Sequence, residues 1–228
     1  MAPFLTARDR LWRRRRPLAG GLVALCLGLF CLLTVALPTD QVTGLDRATH
    51  HALSPARGSI VVSQASAVVS GATSMLALGG LALIAAAICL KRQASPRRVV
   101  FLLAAPVLSV TVAGAVKALV RRDRPVVGDG FAFPSGHVTN TTTLLIVVLF
   151  LAVPLTVAAA VRNLGLLLCA QLLVGSGRLL SGEHWLSDIV AGILLGTALG
   201  VGLTLLQALT RCVPDADLAR GALGDRTW

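Results

Sequence analysis

Six stretches of the chain are almost wholly apolar: 18–37, 66–90, 99–120, 138–153, 164–180 and 188–209. Most approach the roughly 20 residues that a helix needs to cross a hydrocarbon core of about 30 Å. Polar segments separate them. The first, 38–65, carries Asp40, Asp46, Arg47, His50, His51 and Arg57, and is expected to be a loop. The second is the turn KRQASPRR at 91–98, and a short turn with Arg162 is expected at 154–163. This pattern predicts an all-α integral membrane protein, a six-helix bundle with both termini on one side. Pro106 marks a possible kink in the third span. The chain divides into a basic tail (1–17), two spans with an outer loop (18–98), a four-span unit (99–209) and a polar tail (210–228). A basic region ahead of an apolar one is also the form of a secretory signal. The first apolar run is longer than the usual signal core of about 7–15 residues and no A-x-A site follows, so an uncleaved anchor is expected.

Composition supports this division. Of the 228 residues, 55% are hydrophobic and 14% charged, against about 25% charged in a soluble domain. Mean hydropathy is +0.81. The 22 glycines suit close helix approach in lipid, and Gly192, Gly196, Gly200 and Gly202 form a small-residue stripe on the last span. The net charge of +11 is distributed as a topology signal rather than as a nucleic-acid surface. The segments assigned to the cytoplasm hold 14 of the 21 Lys and Arg residues, and anionic headgroups are the expected partner of the amino-terminal cluster. The five cysteines make no C-x-x-C pair; four read as small buried hydrophobes, and Cys212, beside Arg211, is a possible acylation site.

The seven basic residues that break the topology rule are Arg47, Arg57, Lys117, Arg121, Arg122, Arg124 and Arg178, and five of them fall in two segments. Lys117 is followed after six residues by Arg124-Pro125, and then by Pro134-Ser135-Gly136-His137 at the start of the fourth span. Arg178 is followed after five residues by His184, and after three more by Asp188. The expected helix pairing brings all of these to one outer face. His184 and Asp188 are four apart, so on a helix they share a face, and the carboxylate can fix the imidazole tautomer. Gly182 and Glu183 suit the start of that helix. Ser135 and Gly136 open another, where free backbone N–H groups favour an anion. Lys117, Arg124 and Arg178 would neutralise a transferring phosphoryl group. His137 then serves as proton donor and His184 as nucleophile. With no cluster of Asp, Glu or Cys ligands, no metal is expected.

These segments resemble the type 2 phosphatidic acid phosphatase superfamily, which includes the vanadium haloperoxidases. Its pattern, K-x6-R-P, P-S-G-H and S-R-x5-H-x3-D, is met in order by KALVRRDRP, PSGH and GRLLSGEHWLSD over about 99–209. One position departs: Gly177 stands where the family has serine, with Ser176 one residue earlier. The resemblance implies a phosphatase/haloperoxidase-like core and a phosphohistidine at His184, oriented by Asp188. It assigns Lys117, Arg124, Ser135, Gly136 and Arg178 to the phosphate, and gives His137 the proton. It implies neither metal nor cofactor, and a lipid phosphate as substrate, hydrolysed at the extracytoplasmic surface. Rival readings are a phosphotransferase or haloperoxidase on the same pocket and a non-enzymatic anion transporter.

Other polar residues read more plainly. Arg121 and Arg122 occupy no motif position and are expected on a solvated rim. His50 and His51 are expected to be solvated loop residues, although they could edge the site. Trp12 and Trp185 are expected at the membrane interface, and Asp123 is expected to pair with a neighbouring arginine.

Overall fold

A computed structural model of the chain describes residues 7–37, 42–92, 95–126, 130–152 and 156–210. Eight α-helices account for most of these, and no strand occurs among them. They are α1 (Ala7–Ala36), α2 (Gly44–Leu53), α3 (Ile60–Ala72), α4 (Met75–Lys91), α5 (Pro96–Val120), α6 (Gly136–Ala152), α7 (Val157–Leu180) and α8 (Leu186–Thr210). The expected tail at 210–228, with Cys212, lies almost wholly outside the described residues.

Four segments have the length and hydropathy of a span by themselves: Arg16–Ala36, Pro96–Val120, Ala158–Leu180 and Leu186–Thr210. The expected second span is a broken one. It starts at Ile60 rather than at 66, and α3 and α4 meet at a 45° bend. At the break the Thr73 hydroxyl donates back to the Val69 carbonyl (2.7 Å), and the Ser74 side chain caps the new helix at Ala77 N–H (3.3 Å). The expected fourth span, α6, has 17 residues and rises only about 25 Å. Six crossings are therefore reached only by counting the bent pair and this short helix.

Two expected loops are helical. Within 38–65, Thr43 starts α2 with a capping box, its hydroxyl accepting from Asp46 N–H while the Asp46 carboxylate accepts from Thr43 N–H. A 3-10 turn, Ser54–Gly58, follows. Likewise α7 begins at Val157, capped by Thr156 (3.1 Å to Ala159 N–H), rather than at 164.

The architecture is centred on α8. Half of its spanning window is buried, against 11% for α1, and it packs against α1, α5 and α6. The closest seam is α6 on α8. A Cβ on Gly196 would stand 2.6 Å from Thr142 Cβ, and one on Gly200 would stand 2.8 Å from Ile146 Cβ. A Cβ on Gly192 would stand 2.9 Å from the Ser135 carbonyl, whereas nothing lies within 4 Å of Gly202, which is not part of the seam. The facing threonines of α6 are buried but satisfied, since Thr139, Thr142 and Thr143 donate to carbonyls one turn back. On the other side of α8, Phe30 of α1 stacks on Phe133, with ring centroids 5.8 Å apart.

The two ends of the bundle differ. At one end Arg16 and Arg97 donate to the last carbonyls of α8, Ala208 and Thr210. At the other end α2 and the segments 121–126, 130–135 and 181–185 come together.

Candidate active site

The connection from α5 to α6 is held by backbone bonds to the start of α8, to the turn after α7 and within itself. Ser135 N–H donates to the Asp188 carbonyl (3.0 Å), Ala132 N–H to that of Arg122 (2.8 Å) and Val126 N–H to that of Gly182 (3.2 Å). Gly182 turns the chain at φ +71°, and a Cβ there would lie 2.7 Å from Val126 Cγ2. These links bring the three sequence clusters to one end of the bundle.

Asp188 is the third residue of α8, and its Oδ2 accepts the Trp185 N–H at 2.8 Å. His184 precedes the helix instead of sharing a face with Asp188. The carboxylate reaches back to it, with Oδ2 at 3.5 Å from His184 Nδ1. That distance orients the ring without making a full hydrogen bond. Both groups are almost fully buried. Burial pushes the His184 imidazole below its ordinary range and outweighs the opposing pull of Asp188. With Nδ1 turned to Asp188, Nε2 is the free nitrogen.

The cations surround this pair. Lys117 Nζ donates to the carbonyls of Phe131 (2.5 Å) and Ala132 (3.2 Å), and its stem lies 3.9 Å from where a Cβ on Gly136 would stand. Arg124 Nη1 donates to Glu183 Oε2 at 2.7 Å, and Arg178 Nη2 contacts the same oxygen. Ser135 ends the loop at the amino terminus of α6, fully buried, with its hydroxyl unpartnered. His137 lies in the first turn of α6, close enough to interact electrostatically with Arg178, His184, Glu183 and Lys117. All eight residues singled out from sequence therefore meet in one cluster.

Glu183 was not singled out as a member. Burial alone would raise its carboxyl, but Arg178 and Arg124 hold it below the usual range. Its position beside His184, among unmatched arginines, was the available signal. A groove of about 320 Å³ between α3 and α7, lined in part by Ser63, Ser66 and Ser70, opens beside it.

Gly177 also has a structural reason. A Cβ there would lie 3.1 Å from Val69 Cγ1 of α3. Ser176 is exposed and bonded to the Leu173 carbonyl, so it does not replace the missing hydroxyl. Ser70 of α3 supplies one instead, accepting from Arg178 Nη1 at 2.6 Å.

Several expectations about the surroundings are corrected. Arg121 is exposed, as expected, but Arg122 is 1% exposed and not on a rim. The reason is the left-handed turn at Arg121 (φ +52°) that ends α5 and sends the two side chains different ways. His50 is half-buried, its Nε2 accepts from Arg57 Nη1 (3.1 Å) and its ring lies 5.4 Å from the Trp185 ring, so it edges the site while His51 stays exposed. The Trp185 indole N–H donates to the Asp123 carbonyl at 3.0 Å, which ties the ring to the site. Asp123 acts through that carbonyl, and its carboxylate makes no ion pair among the described residues. The Trp12 side chain lies outside the described ones.

Two comparisons bear on this arrangement. The fold is similar to that of "the first transmembrane PAP2 type phosphatidylglycerolphosphate phosphatase from Bacillus subtilis". The TM-score is 0.66 and the identity 20%, over 85% of this chain and 98% of that one. At that identity the likeness concerns the fold. The family model of the PAP2 superfamily matches residues 98–211, half of the chain, and takes in most of α5 and all of α6 to α8, with every motif residue of the site. This chain belongs to the PAP2 superfamily.

Proposed function

We propose that the protein is a membrane phosphatase that hydrolyses a phosphomonoester or pyrophosphate of a lipid through a phosphohistidine at His184. The observation that carries this reading is the convergence of Arg124 and Arg178 on one carboxylate, that of Glu183, beside a buried His184 oriented by Asp188. Glu183 occupies the place of an anion. A substrate phosphoryl group takes that place, held by both guanidiniums, Lys117 and the N–H groups that open α6. His184 Nε2 attacks phosphorus in line. As the P–N bond forms, the P–O bond to the lipid breaks and His137 gives its proton to the leaving oxygen. His137, now neutral, takes a proton from water, and the resulting P–O bond replaces P–N to release phosphate. Asp188 stabilises the charge that His184 carries in between. No step calls for a metal.

The proposed site lies at the end of the bundle opposite Arg16 and Arg97. The positive-inside rule puts those residues in the cytoplasm and the site on the extracytoplasmic side. The test is phosphate release in detergent with EDTA from phosphatidate, phosphatidylglycerol phosphate and a polyprenyl diphosphate. The wild type is expected to act on at least one, and His184→Ala on none. Release from none by the wild type, or equal activity in the variant, overturns the proposal.

A further inference from the structure

Arg122 sits between two carboxylates. Its Nη2 donates to Asp46 Oδ2 at 2.9 Å, and its Nη1 donates to Asp188 Oδ1 and Ser187 Oγ, both at 2.7 Å. Asp46 closes the ring by accepting the Ser187 N–H and hydroxyl, each at 2.8 Å. Asp46, Arg122 and Asp188 are each 1% exposed or less. A buried assembly of charges is poor evidence of stability, because desolvation offsets most of the attraction and an apolar filling is often as stable. Its geometry points elsewhere. The Asp188 oxygen that Arg122 binds is the partner of the one that faces His184.

We propose that Arg122 and Asp46 are positioning residues that act through Asp188. They hold its carboxylate against His184 and set how strongly it attracts a proton to the imidazole. This rests on His184 as the nucleophile. It makes α2, which precedes the family-matched region 98–211, part of the active site. An unopposed Asp188 would favour the imidazolium and so withdraw the attacking form. Arg122 tempers that carboxylate, and Asp46 in turn tempers Arg122.

Other charges lie around His184: Lys117 from α5, His137 from α6 and Arg178 from α7 act on it, Glu183 is its chain neighbour, and His50 of α2 and Arg57 line the same small pocket. None of these changes in the variants that follow, so a comparison with wild type isolates the relay.

The experiment follows His184 in the full-length protein in micelles by NMR of 13Cε1-labelled histidine, assigned by loss of its signal in His184→Ala. In parallel, kcat/KM is measured against pH with phosphatidylglycerol phosphate in mixed micelles. Arg122→Gln is expected to raise the protonation midpoint of His184 by about one pH unit or more, and Asp46→Asn to lower it. The acid limb of kcat/KM follows in the same directions. Arg122→Lys keeps the charge but loses the fork, so its midpoint stays near wild type while kcat falls about tenfold. Midpoints that do not move, or that move in the same direction in both neutralised variants, overturn the proposal even if activity is lost. Should Arg122→Gln not fold, the downward shift in Asp46→Asn decides. The titration needs no turnover, so failure of the relay and failure of the proposed reaction are told apart.

Discussion

The α6–α8 seam carries both halves of the site, with Ser135 to His137 at the start of one helix and Asp188 at the start of the other. Replacing Gly196 with alanine places a Cβ 2.6 Å from Thr142 Cβ and 2.7 Å from the Thr139 carbonyl. Carbon atoms in contact prefer about 3.5–4.0 Å, so the helices must separate by roughly 1 Å. Overpacking of this kind costs about 1–3 kcal/mol. Alanine also gains up to about 1 kcal/mol of helix propensity over glycine. Gly202→Ala, on the same helix with open space around it, makes that gain without the clash. The difference between the two variants therefore isolates packing at about 1–3 kcal/mol. Unfolding midpoints in SDS–detergent mixtures, followed by helicity, should place Gly202→Ala at or above wild type and Gly196→Ala below it. Phosphate release should fall in Gly196→Ala by up to about 100-fold, since a displacement near 1 Å can cost that much in catalysis. Equal midpoints for the two variants would refute the claim that glycine at 196 sets the helix separation.

Three further outcomes are expected. Glu183→Gln removes the internal anion from Arg124 and Arg178, so inhibition by inorganic phosphate should tighten roughly 5- to 10-fold, reflecting about 1 kcal/mol less to displace; an unchanged or weaker inhibition constant contradicts its place in the anion site. Burial favours neutral His184, the form that attacks in the proposed reaction, so wild-type kcat/KM should hold as pH falls through about 6.5 and decline only below it; a midpoint at or above 6.5 argues against His184 as the base-form nucleophile. Leu45→Cys, at an exposed position of α2 and in a background without other cysteines, should react with an impermeant maleimide in intact cells, and protection would place the site in the cytoplasm.

What the sequence disclosed about the site was what depends on spacing. Lys117, Arg124, Ser135, Gly136, His137, Arg178, His184 and Asp188 lie at helix ends that a bundle of antiparallel spans must bring together. The apolar runs likewise disclosed where most helices lie. Where a polar segment sits on folded structure, the pattern was silent. Arg121 and Arg122 are chemically alike and adjacent, and a single left-handed residue decides that one is solvated and the other buried between carboxylates. Asp46 reads as a loop acid until Thr43 is seen as its helix cap, three residues ahead, which was the legible signal for α2. Gly202 belongs to the same run as Gly196 but falls off the helix face that meets α6. The early start of α3 was hidden because Ser63, Ser66 and Ser70 dilute its apolar character while lining the groove beside Glu183.

The central claim is a covalent intermediate on His184. It is tested most directly by mixing the protein with 32P-labelled phosphatidylglycerol phosphate, quenching within milliseconds in alkaline detergent, and measuring label retained on the protein. The expected result is a phosphoprotein that survives base, is released by acid, maps to the peptide containing His184, and is absent in His184→Ala. Turnover with no such label at any quench time, or label that persists in His184→Ala, would contradict it.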